Sequence, residues 1–215
     1  GGIIMSDNLI IAINRRYGSG GKEIGTKLAK DLGIPIYDQE IPEMASQKSG
    51  IRKDYFEKVD EKPTDSFLYA LAMNTFSMNG TVNPFDHALS SDRLFNIQAE
   101  TVQDLANKSS CVIIGRCAEY ILRDEPKRIA VYISSPIEKR VERICRLYQL
   151  SEKEAQKKIM SIDKKRDSYY GYYAGKDWRA CASYNLSIDS GTLGIEKTVE
   201  MLKKYIELRF GSLKV

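Results

Sequence analysis

The chain of 215 residues is 42% hydrophobic and 29% charged, with 15 Gly and 6 Pro, a balance that suits one soluble globular domain and excludes collagenous, coiled-coil and disordered classes. Its 33 Lys and Arg against 29 Asp and Glu leave a net charge of +4, too small an excess to mark a nucleic-acid binder by itself. The longest apolar runs, such as Leu9–Ile13 and Cys111–Ile114, fall far short of the roughly 18 residues of a membrane span. The four cysteines, Cys111, Cys117, Cys145 and Cys181, lack CxxC spacing, and only His87 is available to join them, so structural zinc is not expected. Free thiols, and an N-terminal stretch without a basic-then-apolar leader pattern, lead us to expect a cytoplasmic protein.

Leu9-Ile-Ile-Ala-Ile13 is a β-branched apolar run of the kind buried on both faces of a parallel sheet. A glycine-rich loop follows, and Ile24, Leu28 and Leu32 then repeat every four positions up to Gly33, which predicts an amphipathic helix from Lys22. Ile34-Pro-Ile-Tyr37 reads as a short second strand ending at Asp38. From about 40 to 93 the β-α rhythm is lost, with turn signals at Asn79-Gly80 and Asn83-Pro84, and we read a helical insert. Phe95, Ala99, Val102 and Leu105 restore a helical stripe before the strand Cys111–Ile114. Ile129–Ile133 is the next strand, followed by a helix over Ile137–Tyr148. Ser151 and Glu154 form a capping-box pattern opening a further helix. Leu186-Ser-Ile188 and the stripe Ile195, Val199, Leu202, Ile206 give a last strand and a last helix. About five strands alternating with helices make the fold class α/β with a parallel sheet. Ligands of such sheets bind beyond the carboxyl ends of the strands, which places a site at Arg15–Gly21, Asp38, Gly115–Cys117 and around Ser190.

Between the first strand and helix, Arg15-Arg-Tyr-Gly-Ser-Gly-Gly-Lys-Glu23 carries the small residues that let backbone N–H groups face a phosphate. A phosphate loop of the form G-x-x-x-x-G-K-[ST] is matched at Gly21 and Lys22, whereas Arg16 stands in the first glycine slot and Glu23 in the hydroxyl slot. A tight strand-to-helix turn with no ligand remains the competing reading. Arg16, Gly18, Ser19, Gly20, Gly21, Lys22 and Glu23 are the candidate phosphate-binding residues.

Tyr17–Gly25, Ile36-Tyr-Asp-Gln-Glu40, Cys111-Val-Ile-Ile-Gly-Arg-Cys117 and Ile133-Ser-Ser-Pro136 with its Arg-rich helix resemble, in order and spacing, the cytidylate kinase-like family of P-loop nucleoside monophosphate kinase homologues. The resemblance implies a single domain over 1–215 with a three-layer α/β/α P-loop kinase fold and a five-stranded parallel sheet. It also implies an acceptor-binding role for the insert and a lid at about 151–180. It implies a magnesium-dependent kinase that transfers the ATP γ-phosphoryl to a CMP-like nucleoside monophosphate or other small acceptor. ATP and Mg²⁺ are the implied cofactors. Asp38, Gly115 and Arg116 would then bind the acceptor, while Arg143, Lys165 and Arg166 join Lys22 and Arg116 in balancing transition-state charge. Ser190-Gly-Thr192 would lie against the adenine, and no residue is assigned to the metal. Ile114 and Cys117 replace the acidic flanks that the family carries around Gly-Arg. That departure and the incomplete loop motif keep a second reading open, a non-catalytic nucleotide sensor or interaction protein on a kinase scaffold. Asp163–Asp167 beside Tyr169–Tyr173 also admits single-stranded RNA, a partner disfavoured by the small net charge; homo-oligomerisation is left open.

Overall fold

β-Branched apolar runs form the centre of a parallel sheet whose two faces are covered by helices. The computed structural model describes residues 8–59 and 91–211. In chain order these form β1 (Ile10–Arg15), α1 (Gly21–Leu32), β2 (Ile36–Tyr37), α2 (Glu40–Ser49), α3 (Lys53–Val59) and α4 (Ser91–Lys108). Then come β3 (Cys111–Ile114), α5 (Ala118–Ile121), β4 (Arg128–Ser134), α6 (Ile137–Tyr148), α7 (Glu152–Ala174), β5 (Leu186–Asp189) and α8 (Ser190–Phe210). The sheet order is β2-β3-β1-β4-β5, and every pairing is parallel.

Successive side chains of a strand point to opposite faces, so β1 divides its residues between two layers. Ile11 and Ile13 pack with Ile24 and Leu28 of α1 and with Val199, Leu202 and Ile206 of α8. Ile10 and Ala12 pack on the other side with Ile41 of α2 and with Val102 and Leu105 of α4. The result is a three-layer α/β/α arrangement. Gly33, in the left-handed region at φ 66°, ends α1 and caps it through the carbonyls of Ala29 and Lys30. The expected strand over 34–37 shortens to Ile36–Tyr37, because Pro35 has no N–H and contributes only its carbonyl, which accepts the Val112 N–H at 2.9 Å. The capping box at Ser151 and Glu154 forms as its spacing predicts. α5 has no counterpart in the apolar pattern, and α8 bends at Gly194. The described part of the insert is helical; Asn79-Gly80, Asn83-Pro84 and His87 lie outside the described residues.

A third core lies under the carboxyl end of α7, where Tyr169, Tyr170 and Trp178 pack on Tyr132 and Tyr184. Glu119 of α5 borders this core at 2% exposure, with Tyr170 and Asn14 hydrogen-bonded to its side chain. Burial pushes its carboxyl up to about 7, against the lowering effect of those hydrogen bonds.

Two stability measurements follow from this packing. Unfolded, Glu119 titrates near 4.5, so between about pH 4.5 and 7 the folded protein keeps a proton that the unfolded chain has released. Stability therefore falls as pH rises through that window and levels off above it, a cost on the order of 3 kcal/mol. Glu119→Gln should flatten the profile, with urea midpoints near pH 5 and pH 8 drawing together; a wild-type-like difference would refute the assignment. At Gly21 an added Cβ would lie 2.5 Å from Arg15 Cβ, an atom that no side-chain rotation can move aside. Gly21→Ala is expected to lower stability by about 1–3 kcal/mol in the same assay.

Candidate functional site

The loop between β1 and α1 is a tight turn held by its own backbone. The Arg16 N–H donates to the Ile133 carbonyl at 2.9 Å, and the Ser19 N–H and hydroxyl return to the Arg16 carbonyl at 3.2 and 2.8 Å. Gly18 and Gly20 take φ of 82° and 80°, a region that side chains with a Cβ enter only under strain. The first α1-type bond runs from the Ile24 N–H to the Gly20 carbonyl at 2.9 Å. The N–H groups of Gly21, Lys22 and Glu23 precede it at the positive end of the helix dipole, the geometry that attracts an anion.

These residues open into a cleft of about 840 Å³ at the carboxyl ends of β1, β2 and β3. One side gathers around Asp38. Lys22 Nζ lies 2.8 Å from Asp38 Oδ2, and Arg15 Nη2 lies 3.8 Å from Oδ1. Arg116 Nη2 donates to the Asp38 carbonyl at 3.3 Å, and Lys53 completes this side. The Asp38 carboxylate therefore binds cations and does not cap α2, whose N-cap is Gln39. Gly115 is what admits Arg15, since a Cβ there would come within 2.4 Å of Arg15 Nη1. Gly115, Arg116 and Cys117 take φ of 73°, 59° and 53°, three successive left-handed residues of which two are strained. Strain of this kind, roughly 1–3 kcal/mol per residue, aims Arg116 across the end of the sheet. Burial lowers the Arg116 guanidinium to about 10, with Tyr169 opposing and Arg15 adding to the shift, so it stays cationic at neutral pH.

The other side is made by α6 and α7. Arg143 Nη2 meets Glu23 Oε2 at 2.5 Å. Arg166 Nη1 donates to the Arg15 carbonyl at 3.0 Å, and Arg166 Cζ lies 5.7 Å from the centre of the Tyr17 ring. Arg16 turns its Nε toward Asp163 Oδ2 at 3.0 Å. Among the described residues, the cleft is lined by seven basic and two acidic side chains, the acids being Glu23 and Asp38.

The cleft thus brings together Arg16, Gly18, Gly20, Gly21, Lys22, Glu23, Asp38, Gly115, Arg116, Arg143 and Arg166. Ser19, Lys165 and Ser190 do not line it. Ser19 is buried in the turn, and Lys165 sits half-buried on α7. Ser190 is buried too, its hydroxyl lying 2.6 Å from the Ser19 carbonyl and 2.8 Å from that of Ser134, so it braces the loop from beneath. Of the three arginines spaced along α6, Arg140 is buried, Arg143 faces the cleft and Arg146 faces solvent. Arg140 was readable in the pattern, since it lies three residues after Ile137 and four before Ile144, on the apolar stripe. Arg15 and Gly115 lie in the stretches expected to form the site, but the packing of one against the other, and the pairing of Arg140 with Asp163, had no local signal. The tyrosine-rich segment turns mostly inward: Tyr169 and Tyr170 are buried and Tyr173 stacks on Phe95 at 3.8 Å, while Tyr172 is exposed.

Comparison with known proteins agrees with this geometry. The model of the cytidylate kinase-like family matches residues 10–192. A cytidylate kinase of Methanopyrus kandleri is 22% identical over 213 residues, covering 95% of this chain and 96% of that protein. Among solved structures, an uncharacterized protein from Eubacterium ventriosum aligns with a TM-score of 0.68 at 26% identity over 93% of this chain and 99% of its own. A shikimate kinase from Bacteroides thetaiotaomicron shares the fold at a TM-score of 0.53 and 14% identity, over 93% and 98% of the two chains. Among the described residues no helix is long and apolar enough to cross a membrane. The fold is that of the P-loop kinases, and with a family match spanning most of its length the chain belongs to the cytidylate kinase-like family.

Proposed function

We propose that the protein is a small-molecule kinase that moves the γ-phosphoryl of ATP to an acceptor bearing its own anionic group, a nucleoside monophosphate of the CMP type being the first to test. The observation that carries this reading is the excess of seven cations over two acids in one cleft at the start of α1. Phosphoryl transfer asks mainly for positioning and for neutralisation of charge spread over several oxygens. Lys22 and the Gly20–Glu23 backbone hold the donor phosphates, while Arg143 and Arg166 balance charge from the α6 and α7 side. Asp38, Gly115 and Arg116 orient the acceptor. An acceptor with a phosphate or carboxylate suits the group around Asp38, where Arg15, Lys22 and Arg116 outnumber one carboxylate.

Among the described residues, Glu23 and Asp38 are the carboxylates of the cleft, and hard carboxylate oxygens fit Mg²⁺, which keeps several waters and takes few protein ligands. Held there with the donor, Mg²⁺ would supply positive charge that offsets the phosphate charge facing the acceptor. Glu23, with its side chain 45% exposed, is the residue we assign to hold it through water.

The test is ADP release with Mg²⁺ and ATP against a panel of nucleoside monophosphates, small phosphorylated or carboxylated acceptors and neutral sugars, with thermal midpoints followed in parallel. Acceptor-dependent release confined to anionic acceptors is the expected result. Arg116→Ala should then lower kcat/KM about 10²- to 10³-fold, with only partial recovery in Arg116→Lys, because an ammonium lacks the planar fork. Stabilisation by ATP without turnover for any acceptor would favour the nucleotide sensor, a reading that the Glu23–Arg143 ion pair also accommodates.

A further inference from the structure

Asp163 lies eleven residues beyond Glu152, the first residue of α7, on the buried side of that helix, and its carboxylate gathers donors from two other elements. Oδ1 accepts the Tyr17 backbone N–H at 2.8 Å. Oδ2 accepts Arg16 Nε at 3.0 Å and Arg140 Nη1 at 2.7 Å. Arg140 has a side chain only 3% exposed, and it also donates to the Ser135 carbonyl at 3.0 Å and the Tyr17 carbonyl at 3.3 Å. One carboxylate therefore joins α7, α6 and the entrance of the phosphate loop.

We infer that Asp163 is a positioning residue, a latch that docks α7 on the loop and thereby sets Arg166 over the cleft. Residues three apart on a helix share a face, so fixing Asp163 against Tyr17 fixes the base from which Arg166 reaches the Arg15 carbonyl and the Tyr17 ring. A charged hydrogen-bond acceptor is needed, because Arg140 is a buried cation whose solvation has been replaced by this carboxylate. The latch itself stands on the contacts just given, and its catalytic consequence rests on the phosphotransfer reading above.

The test has two arms. The first needs no turnover: residue-resolved hydrogen exchange of the ligand-free protein compares wild type, Asp163→Ala and a core truncation away from the cleft, Ile206→Ala. Asp163→Ala should speed exchange at Tyr17 and along the Asp163–Tyr170 stretch of α7 at least tenfold beyond Ile206→Ala at equal global stability. Equal rates in the two variants would overturn the latch. Where Asp163→Ala alone fails to fold because Arg140 is stranded, Asp163→Ala with Arg140→Leu replaces the pair by apolar groups and gives the same comparison. The second arm uses whichever acceptor supports turnover. Asp163→Asn should lower kcat about tenfold while changing the Kd for ATP less than twofold, and the loss should nearly vanish in an Arg166→Ala background. A full additional loss in that background would remove the positioning role. Absence of turnover would count against the kinase reading, and the exchange arm would still decide the latch.

Discussion

Crowding of like charge is the constraint around which this molecule is arranged. Seven basic side chains line one cleft, and placing cations so close together costs free energy that grows as water is excluded from between them. Three carboxylates relieve it, each at a different place. Asp38 neutralises the group formed by Lys22 and Arg15, Glu23 faces Arg143, and Asp163 receives Arg16 and the buried Arg140. Their burial follows their task. Asp38 and Asp163 are largely hidden, and Asp163 holds the Tyr17 backbone N–H as well as charge, whereas Glu23 is substantially exposed and faces Arg143.

The sheet makes this arrangement rigid. β1 is buried on both faces, so its carboxyl end cannot shift without disturbing two cores, and it is from this end that Arg15 and the loop emerge. β3 ends in the three left-handed residues Gly115–Cys117, a conformation that persists only where surrounding structure over-determines it. Buried Cys117 and Ala118 supply that support by packing into the adjoining cores, and the Ala118 N–H closes the turn on the Gly115 carbonyl at 3.0 Å. Strain at Arg116 and rigidity at β1 are thus two sides of one design, in which cations project from ends that do not move.

Much of the fold was legible because its signals are local. The runs Leu9–Ile13, Cys111–Ile114 and Ile129–Ile133 are short, β-branched and bounded by turn residues, and each falls on a strand. The four-residue repeat before Gly33 and the box at Ser151 and Glu154 likewise encode helix ends in a few neighbouring positions. The site was legible only in part. Asp38 and Arg116 follow the ends of β2 and β3 and Lys22 opens the helix after β1, positions to which topology alone directs attention. Asp163 and Arg15 act through partners far away in the chain, with Asp163 separated from Tyr17 by 146 positions, and no periodicity carries such a pairing. Ser190 shows the converse error: its position after the last strand invites a ligand role, yet its hydroxyl is engaged by two backbone carbonyls beneath the loop.

The carboxylate at position 23 alters what the loop selects. A hydroxyl there would leave Arg143 facing the cleft without a counterion, ready for any anion that arrived. With Glu23 in place, at 2.5 Å from Arg143, an incoming anion gains that arginine only by displacing a carboxylate already bound to it. The exchange gives little to a monoanion, which replaces one negative charge by another and adds desolvation of its own. It would favour a ligand that brings several charges at fixed spacing, because such a ligand could engage the α1 amides, Lys22 and Arg143 together while Glu23, half-exposed, returned to solvent. The same reasoning applies around Asp38, where Lys22 is 59% exposed and its partner only 11%, so the lysine is the member free to turn toward a phosphate while the acid stays with Arg15. On the proposed kinase reading, internal carboxylates in this cleft would act as a threshold on ligand charge, one that a polyphosphate would clear.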